Sequence, residues 1–244
     1  MLKSTSQTLL AEVLDAHGGI HRWRTFLKLT AKVVTGGFLW GMKGFPLGDT
    51  ARSITAEFRR QWTRVEPFGE PGWHMIYEPG RVAIRTSGGD VIAQQDDPRA
   101  TFAGHAWDTP WTATQLAYFN GYAMWTYYNF PFVLGECAVD IADIPPIAHA
   151  GQLLRGMRVR LPRNVHSHSE EQSLYFDDRG LLRRHDYEVN VAGQARAAHL
   201  ISEYVEVGGL LFPTQRRVFM RNEDGTLQLD KMPVSIDLSD FELT

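Results

Sequence analysis

Three residues in the last third of the chain have side chains suited to general acid–base chemistry: His185, Tyr187 and His199. An imidazole can exchange protons near neutral pH, and a phenol can donate a hydrogen bond to a reacting oxygen. Arg183 and Arg216 could hold an anionic substrate group, because a guanidinium matches the geometry of carboxylates and phosphates. These residue types predict either acid–base catalysis or recognition of a polar group, provided that the fold brings them together.

Three turn signals decide which of these side chains meet: Asp177–Gly180, a short turn around Gly193, and Gly208-Gly209. Each lies between runs of alternating residues, a pattern typical of antiparallel hairpins, in which opposed residues share a face. Pairing Phe176 with Leu181, Val191 with Ala195 and Val207 with Leu210 predicts five opposed pairs of interest: Gln172 with His185, Glu170 with Tyr187, Tyr187 with His199, Arg183 with Glu203, and Ile201 with Arg216.

One face of this strand series is rich in Leu, Ile, Val, Phe and Met and is therefore expected to point inward. The same face also carries the ionisable residues Glu170, Arg183, His185, Tyr187, His199, Glu203 and Arg216. Charged groups inside an apolar face are costly unless they pair or contact a ligand. Two interpretations stay open: a catalytic or ligand-binding cluster, or an internal network in which Arg183 and Glu203 form a structural ion pair.

A separate hypothesis concerns metal binding by His166, His168 and Glu170. Alternate residues of a strand share a face, so these three side chains could reach one metal ion. The spacing to the acid does not match that of cupin-like sites, and a polar strand entrance after Pro162 is the simpler interpretation. We therefore assign no metal ligands.

Other catalytic signatures are missing from the sequence. It has no nucleophile elbow, phosphate-binding loop or dinucleotide-binding glycine motif, so we expect no cofactor. Cys137 is the single cysteine, which excludes an intramolecular disulfide, and it has no neighbouring histidine to make it a nucleophile.

Composition narrows the function classes further. The chain has 244 residues, a net charge of −3 and 43% hydrophobic residues, so it can form one large domain over residues 1–244. Its near-neutral, mixed charge argues against nucleic acid as a partner. The N-terminus lacks the apolar core of a signal peptide, and the apolar stretch at 111–134 is too interrupted to span a membrane. We therefore expect a cytoplasmic protein.

Hydrophobic patterning predicts the elements around the cluster. Leu9, Leu10, Val13 and Leu14 favour a short N-terminal helix. Strands are expected at 51–65, 73–78, 81–86 and 90–95. A helix is expected with Thr109 as its N-cap and Pro110 at its first position, ending at Asn129. This helix is apolar on all sides, so we expect the fold to enclose it and its Tyr122 and Trp125 to line a pocket. A loop is predicted at about 140–156.

Some segments resemble the LolA/LolB-like lipoprotein carriers and, more closely, a group of uncharacterised bacterial proteins. The residues that carry the likeness are Ala16–Gly19 with Trp23, the hairpin Phe176–Tyr187, and Gly209–Arg217. The resemblance implies a half-open β barrel around helices with an apolar cavity. It implies no reaction, since this scaffold also supports a pigment-pathway enzyme.

Taken together, these patterns predict a mainly β (α+β) fold in which one strongly curved antiparallel sheet wraps around a helical segment. The function expected from it is binding of a hydrophobic small molecule in an apolar β cavity that contains the His/Tyr/Arg/Glu cluster. The alternative is a cofactor-independent enzyme, such as a lyase, isomerase or cyclase, that uses His185, Tyr187 and His199 on a hydrophobic substrate. Its ligand contacts would be Arg183, Glu203, Arg216, Glu170, Trp125 and Tyr122.

Overall fold

The fold is taken from a computed structural model, which describes residues 5–46 and 50–244. Residues 1–4, on which the prediction of no signal peptide partly depends, lie outside the described residues. No helix within the described residues is long and apolar enough to cross a membrane. The cytoplasmic location stays a prediction.

The strands form two blocks along the chain, one before and one after the helices at residues 113–137. The helices are α1 (Thr5–Ala16), α2 (Ile20–Trp23), α3 (Leu39–Met42), α4 (Ala113–Asn129) and α5 (Phe132–Cys137), with 3-10 turns at Pro98–Phe102 and Asn190–Ala192. The strands are β1 (Lys28–Gly36), β2 (Arg52–Glu57), β3 (Thr63–Glu66), β4 (Trp73–Glu78), β5 (Arg81–Thr86), β6 (Val91–Asp96), β7 (Asp140–His149), β8 (Gln152–Arg160), β9 (Glu171–Phe176), β10 (Leu182–Val189), β11 (Ala195–Val207), β12 (Leu210–Arg221), β13 (Leu227–Gln228) and β14 (Val234–Leu243).

The fourteen strands of the described ranges belong to one antiparallel sheet, and the sheet is open. Its order is β6-β5-β4-β3-β2-β1-β14-β12-β11-β10-β9-β8-β7, with β13 paired only to β12. The C-terminal strand β14 therefore joins the two blocks by lying between β1 and β12. The predicted mainly β, antiparallel architecture is confirmed, whereas wrapping of the sheet around a helix, and a single domain over residues 1–244, stay predictions.

The N-terminal helix α1 ends just before Gly18, whose backbone conformation and close contacts suit only glycine. Leu9, Val13 and Leu14 of α1 are buried, as the helical spacing predicted. At Gly18 φ is +106°, and a Cβ there would lie 2.1 Å from the carbonyl oxygen of Gly209, so only glycine fits. The adjacent His17 carbonyl accepts a hydrogen bond from the Leu211 amide at 3.1 Å. The helix end is thus fixed against the β11–β12 turn.

Helix α4 is the central support of the site, and its N-terminus is a capping box. Thr112, rather than the predicted Thr109, is the N-cap: its hydroxyl accepts from the Gln115 amide, and the Gln115 side chain accepts from the Thr112 amide. Every residue from Gln115 to Asn129 is buried, which agrees with the expected enclosure of this helix. Gly121 lets the helix approach β4, since a Cβ there would lie 2.2 Å from Cγ of Tyr77.

Two sequence predictions about strands are wrong. The segment predicted as one strand at 51–65 is split into β2 and β3, which pair with each other. The segment predicted as a loop at about 140–156 forms the hairpin β7–β8. Its two prolines at 145 and 146 fall at a register irregularity between Ile144 and Ile147, on the edge strand. An edge position with a bulge is where a sheet tolerates proline.

Candidate functional site

Strands β10 and β11 place two of the predicted site histidines directly opposite each other. His185 pairs with His199, and Tyr187 pairs with Ala197, whereas Tyr187 was predicted opposite His199. The two-residue difference arises because Val189, not Val191, is the residue that pairs with Ala195, after which a 3-10 turn completes the connection. A shift of two residues preserves the face of a strand, so all three side chains are still buried together.

His168, from the loop before β9, connects these strands to helix α4. Its Nδ1 lies 3.1 Å from the hydroxyl of Tyr122 and its Nε2 lies 2.8 Å from the hydroxyl of Tyr127. The Tyr127 hydroxyl is also 3.1 Å from that of Tyr187, and the Tyr187 ring stacks on the imidazole at 4.2 Å. We call Tyr122, Tyr127, His168 and Tyr187 the histidine–tyrosine cluster.

Burial keeps the histidine–tyrosine cluster uncharged at neutral pH. It lowers the pKa of His168 to about 3 and raises the pKa of Tyr127 to about 12. It also raises the pKa of Tyr187 and of Tyr122 well above that of a free tyrosine. A neutral imidazole donates through one nitrogen and accepts at the other, while each hydroxyl can do both. The bonds therefore form a chain of neutral groups along which protons can be reordered.

Arg216 of β12 brings a positive charge next to this cluster. Its side chain is buried, it donates to the Tyr127 carbonyl oxygen at 2.8 Å, and its guanidinium lies 4.9 Å from the centre of the Tyr127 ring. Within the described residues no carboxylate forms an ion pair with it. Burial lowers the pKa of His185 and of His199 well below that of a free histidine, and the charge of Arg216 lowers both further. The cation thus helps to keep both imidazoles neutral.

A narrow apolar cavity lies against the histidine–tyrosine cluster. Its walls come from α3, the segment before α4, α4 itself and strands β1, β10, β11, β12 and β14, and include Trp40, Trp107, Trp111, Phe119, Met124 and Val218. Tyr127, His168 and Tyr187 supply polar groups to the same wall. The space open to the centre of a water molecule is about 40 Å³. This is room for very few waters, so a larger occupant requires side chains to move.

Several residues predicted to bind a ligand lie elsewhere. Arg183 donates to Asp177 at 2.7 Å instead of pairing with Glu203. An extra residue in β10 between Leu182 and Arg184 changes the direction of Arg183. Glu203 has φ +55°, which turns its side chain outward to solvent. The predicted Arg183–Glu203 pair is therefore wrong.

Glu170 is also misplaced by the sequence prediction. It precedes β9, its side chain is 45% exposed, and it lies 3.4 Å from Arg163. It does not oppose Tyr187 inside the sheet, because the true register places β9 two residues further along β10.

Of the two α4 residues predicted to line a pocket, neither contacts this cavity. Tyr122 is fully buried behind His168 as part of the cluster. Trp125 donates from Nε1 to the carbonyl oxygens of Glu57 and Arg60, both at 2.8 Å. It therefore fastens α4 to the β2–β3 turn.

The metal hypothesis depended on a strand that does not form. Residues 166–170 are a loop, so alternation does not place them on one face. His166 Nδ1 lies 3.0 Å from the hydroxyl of Tyr118, and both ring nitrogens of His168 are taken by tyrosines. No group of three His, Cys, Asp or Glu side chains in the described ranges is arranged to hold a metal ion.

The sequence analysis did not single out Tyr127 of α4 or Arg52 of β2. It considered His168 only as a metal ligand. Arg52 was overlooked although Arg52, Ile54 and Ala56 alternate along β2 and are all buried. An arginine on the apolar face of a strand was the signal that could have identified it.

The sequence matches no protein-family model and no curated protein. Solved structures do resemble the fold over nearly its whole length. A DUF1329 family protein from Desulfovibrio piger ATCC 29098 has 11% identity and a TM-score of 0.56, with 99% of this chain and 94% of that chain covered. A LolA superfamily protein from Nitrosomonas europaea has 9% identity and a TM-score of 0.52, with the same coverage.

A third structure is a domain assigned to the outer membrane lipoprotein-sorting proteins of Vibrio parahaemolyticus. It has 8% identity and a TM-score of 0.55, with 98% of this chain and 92% of that chain covered. At such low identities these likenesses establish the fold alone, which is LolA-like. The bacterial origin suggested by the sequence resemblance stays a prediction.

Proposed function

We propose that this protein binds a hydrophobic small molecule in the apolar cavity and hydrogen-bonds one neutral polar group of it through the histidine–tyrosine cluster. The observation that carries the proposal is the composition of the cavity wall: mostly aromatic and aliphatic side chains, with the polar groups of Tyr127, His168 and Tyr187 beside them. Small-molecule sites usually combine apolar walls with a few placed polar groups.

The protonation states favour a neutral ligand group at this end of the cavity. His168 has a pKa of about 3 and both tyrosine hydroxyls titrate far above neutral pH, so none of these side chains is charged at pH 7. An uncharged wall offers little compensation for moving an ion out of water. A hydroxyl or carbonyl group of the ligand fits better here.

Trp107 is the least buried of the three tryptophans that line the cavity. Trp107 is half-buried, in contrast to the fully covered Trp40 and Trp111. The Lys43 ammonium donates to the carbonyl oxygens of Trp107 and of Thr109 and lies 4.7 Å from the centre of the Trp111 ring. A ligand would enter by displacing Trp107 from this arrangement.

The fold supports the same interpretation. The neighbour from Vibrio parahaemolyticus is assigned to lipoprotein sorting. A lipoprotein-sorting assignment on the same fold agrees with an apolar binding site in this protein, although the ligands need not be alike.

Native mass spectrometry of the purified protein, compared with its denatured mass, tests the proposal. We expect an organic adduct at a one-to-one ratio, or one formed on incubation with a long-chain alcohol. Absence of any adduct with a series of hydrophobic probes would contradict ligand binding.

A second function is favoured by one observation, the chain of hydrogen bonds from Tyr127 at the cavity wall through His168 to Tyr122. Such a chain could move a proton to or from a substrate, as expected of a cofactor-independent lyase, isomerase or cyclase. Of the three residues predicted as catalytic, Tyr187 lines the cavity, and His185 and His199 are not among its lining residues.

The variant His168→Gln separates the two functions, because glutamine can hydrogen-bond but cannot exchange protons. A binding protein should keep its ligand affinity within a few-fold. An acid–base catalyst should lose roughly 100-fold or more in turnover.

A further inference from the structure

A second, wider cavity lies beside the first, and Thr35 lines both. The space within it that is open to the centre of a water molecule is about 500 Å³. Its apolar walls include Phe45, Pro67, Phe68, Trp73, Ile84 and Leu116. Among the described residues, one charged side chain, that of Arg52, also lines it.

Arg52 is held in place without a neutralising partner among the described residues. Its side chain is more than nine-tenths buried, with 8% of the residue surface exposed, and one guanidinium nitrogen donates to the Thr35 hydroxyl at 2.7 Å. Burial lowers the pKa of Arg52 to about 10, so the group is still a cation at neutral pH. The nearest acid along the neighbouring strand, Glu66, already pairs with Arg64 at 2.7 Å.

A buried cation without an anion is costly, and such groups usually pair or serve a ligand. A guanidinium presents five N–H donors in a planar arrangement that matches a carboxylate. One guanidinium nitrogen of Arg52 donates to the Thr35 hydroxyl, and the other nitrogens can donate to a ligand. Because the Arg52 guanidinium carries one positive charge and the Thr35 hydroxyl is neutral, a ligand group with one negative charge would neutralise the site.

We infer that Arg52 and Thr35 bind the carboxylate of an amphipathic monoanion whose apolar part occupies the adjoining cavities. This inference rests on the proposed function and specifies its ligand class: a hydrophobic carboxylic acid. Arg52 lines the second cavity and Tyr187 of the histidine–tyrosine cluster lines the first, and their strands β2 and β10 are five positions apart in the sheet order. A ligand held at both would have its ionic group at Arg52 and its apolar chain between them.

Binding of hexadecanoate and of hexadecanol, which share a chain and differ in the charged group, tests the inference by calorimetric titration of the full chain. We expect wild type to prefer hexadecanoate by about 30-fold or more, the range for a paired buried charge. Arg52→Met should remove that preference while hexadecanol still binds, and Thr35→Val should reduce it. The control Arg64→Met changes an arginine on the adjacent strand that lines neither cavity and should keep the preference.

Each other outcome has a definite meaning. If both probes bind equally to wild type and to Arg52→Met, the carboxylate site is wrong and the proposed function stands. If neither probe nor any shorter homologue binds, both proposals fail. Urea unfolding of Arg52→Met shows whether it is folded, and Arg52→Lys, which keeps the charge, should retain part of the preference.

The competing explanation is that Asp49, and not a ligand, neutralises Arg52. It lies three positions before Arg52 in the sequence and outside the described residues. If wild type shows no preference for hexadecanoate and Asp49→Asn creates one, then this carboxylate neutralises Arg52 and the inference is overturned. If Asp49→Asn leaves an existing preference unchanged, the arginine is available to a ligand as proposed.

Discussion

His185 and His199 lie opposite each other on β10 and β11, but their hydrogen bonding differs. The Nε2 atom of His185 lies 2.5 Å from Oε1 of Gln172, whereas neither ring nitrogen of His199 has a partner among the described residues. Both side chains are buried and both imidazoles are kept neutral. The two positions should therefore respond in opposite ways to loss of the imidazole.

Replacing His199 with leucine should leave the free energy of unfolding unchanged or raise it by about 1–3 kcal/mol, since it removes an unsatisfied polar ring. Replacing His185 with leucine should lower it by a similar amount, because Gln172 would lose its bond. Urea unfolding of the two variants measures the difference. Equal destabilisation would show that His199 has a partner, such as a buried water.

The buried histidines predict acid lability. The pKa of His168 falls from 6.5 to about 3 on folding, so between these values the unfolded chain binds a proton that the folded chain does not. Stability is therefore complete above pH 6.5 and decreases as the pH falls toward 3, by about 1.4 kcal/mol per pH unit for each such histidine. His185 and His199 act in the same direction.

Urea unfolding between pH 7.5 and pH 5 measures this dependence. His168→Gln should flatten the slope by about one histidine. A stability that is constant over this pH range would contradict neutral burial of the cluster.

Tyr127 should matter more to stability than Tyr187, because its hydroxyl contacts two partners. Tyr127→Phe leaves both His168 Nε2 and the Tyr187 hydroxyl without that contact. Tyr187→Phe removes one bond and leaves Tyr127 bonded to His168. We expect the first substitution to cost at least about 1 kcal/mol more than the second. Thermal and urea unfolding compare them, and equal losses would argue against the bond order described here.

Glycine at position 121 should be required although it lies inside a helix. Alanine is normally better than glycine in a helix by about 1 kcal/mol. Here Gly121→Ala would place a Cβ 2.2 Å from the Tyr77 ring, so we expect a net loss of about 1–3 kcal/mol instead.

Gly41 is the matched control for this substitution. It lies in helix α3, and a Cβ there would meet nothing within 4 Å. Gly41→Ala should therefore be neutral or stabilising. Similar effects of the two substitutions would contradict the close contact of α4 with β4.

The sequence was most informative where the alternation of side chains along a strand determines which face of the sheet each residue occupies. The inward face of β10 to β12 was predicted with His185, Tyr187, His199 and Arg216 on it, and all four are buried. The register error of two residues at the β10–β11 connection did not matter, because a strand repeats its faces every two residues.

Irregularities of a single residue led to wrong predictions, because assigning faces by alternation assumes a regular strand. The bulge at Arg183 and the positive φ of Glu203 each turn one side chain away from its predicted face. Neither is visible in an alternating pattern, since each depends on how neighbouring strands pair. His168 could not be placed because it lies in a loop, whose conformation has no period to read.

Filling the first cavity with a larger side chain tests whether the ligand binds there. Ala123 of α4 lines the cavity, and Ala123→Leu would occupy space that a ligand needs, whereas the helical Ala11 of α1 does not line it. Titration of tryptophan fluorescence with hexadecanol reports on the wall residues Trp40, Trp107 and Trp111. Wild type and Ala11→Leu should show the same saturable change, and Ala123→Leu should bind about tenfold more weakly or worse. Equal affinity of all three proteins would place the ligand elsewhere and contradict ligand binding in this cavity.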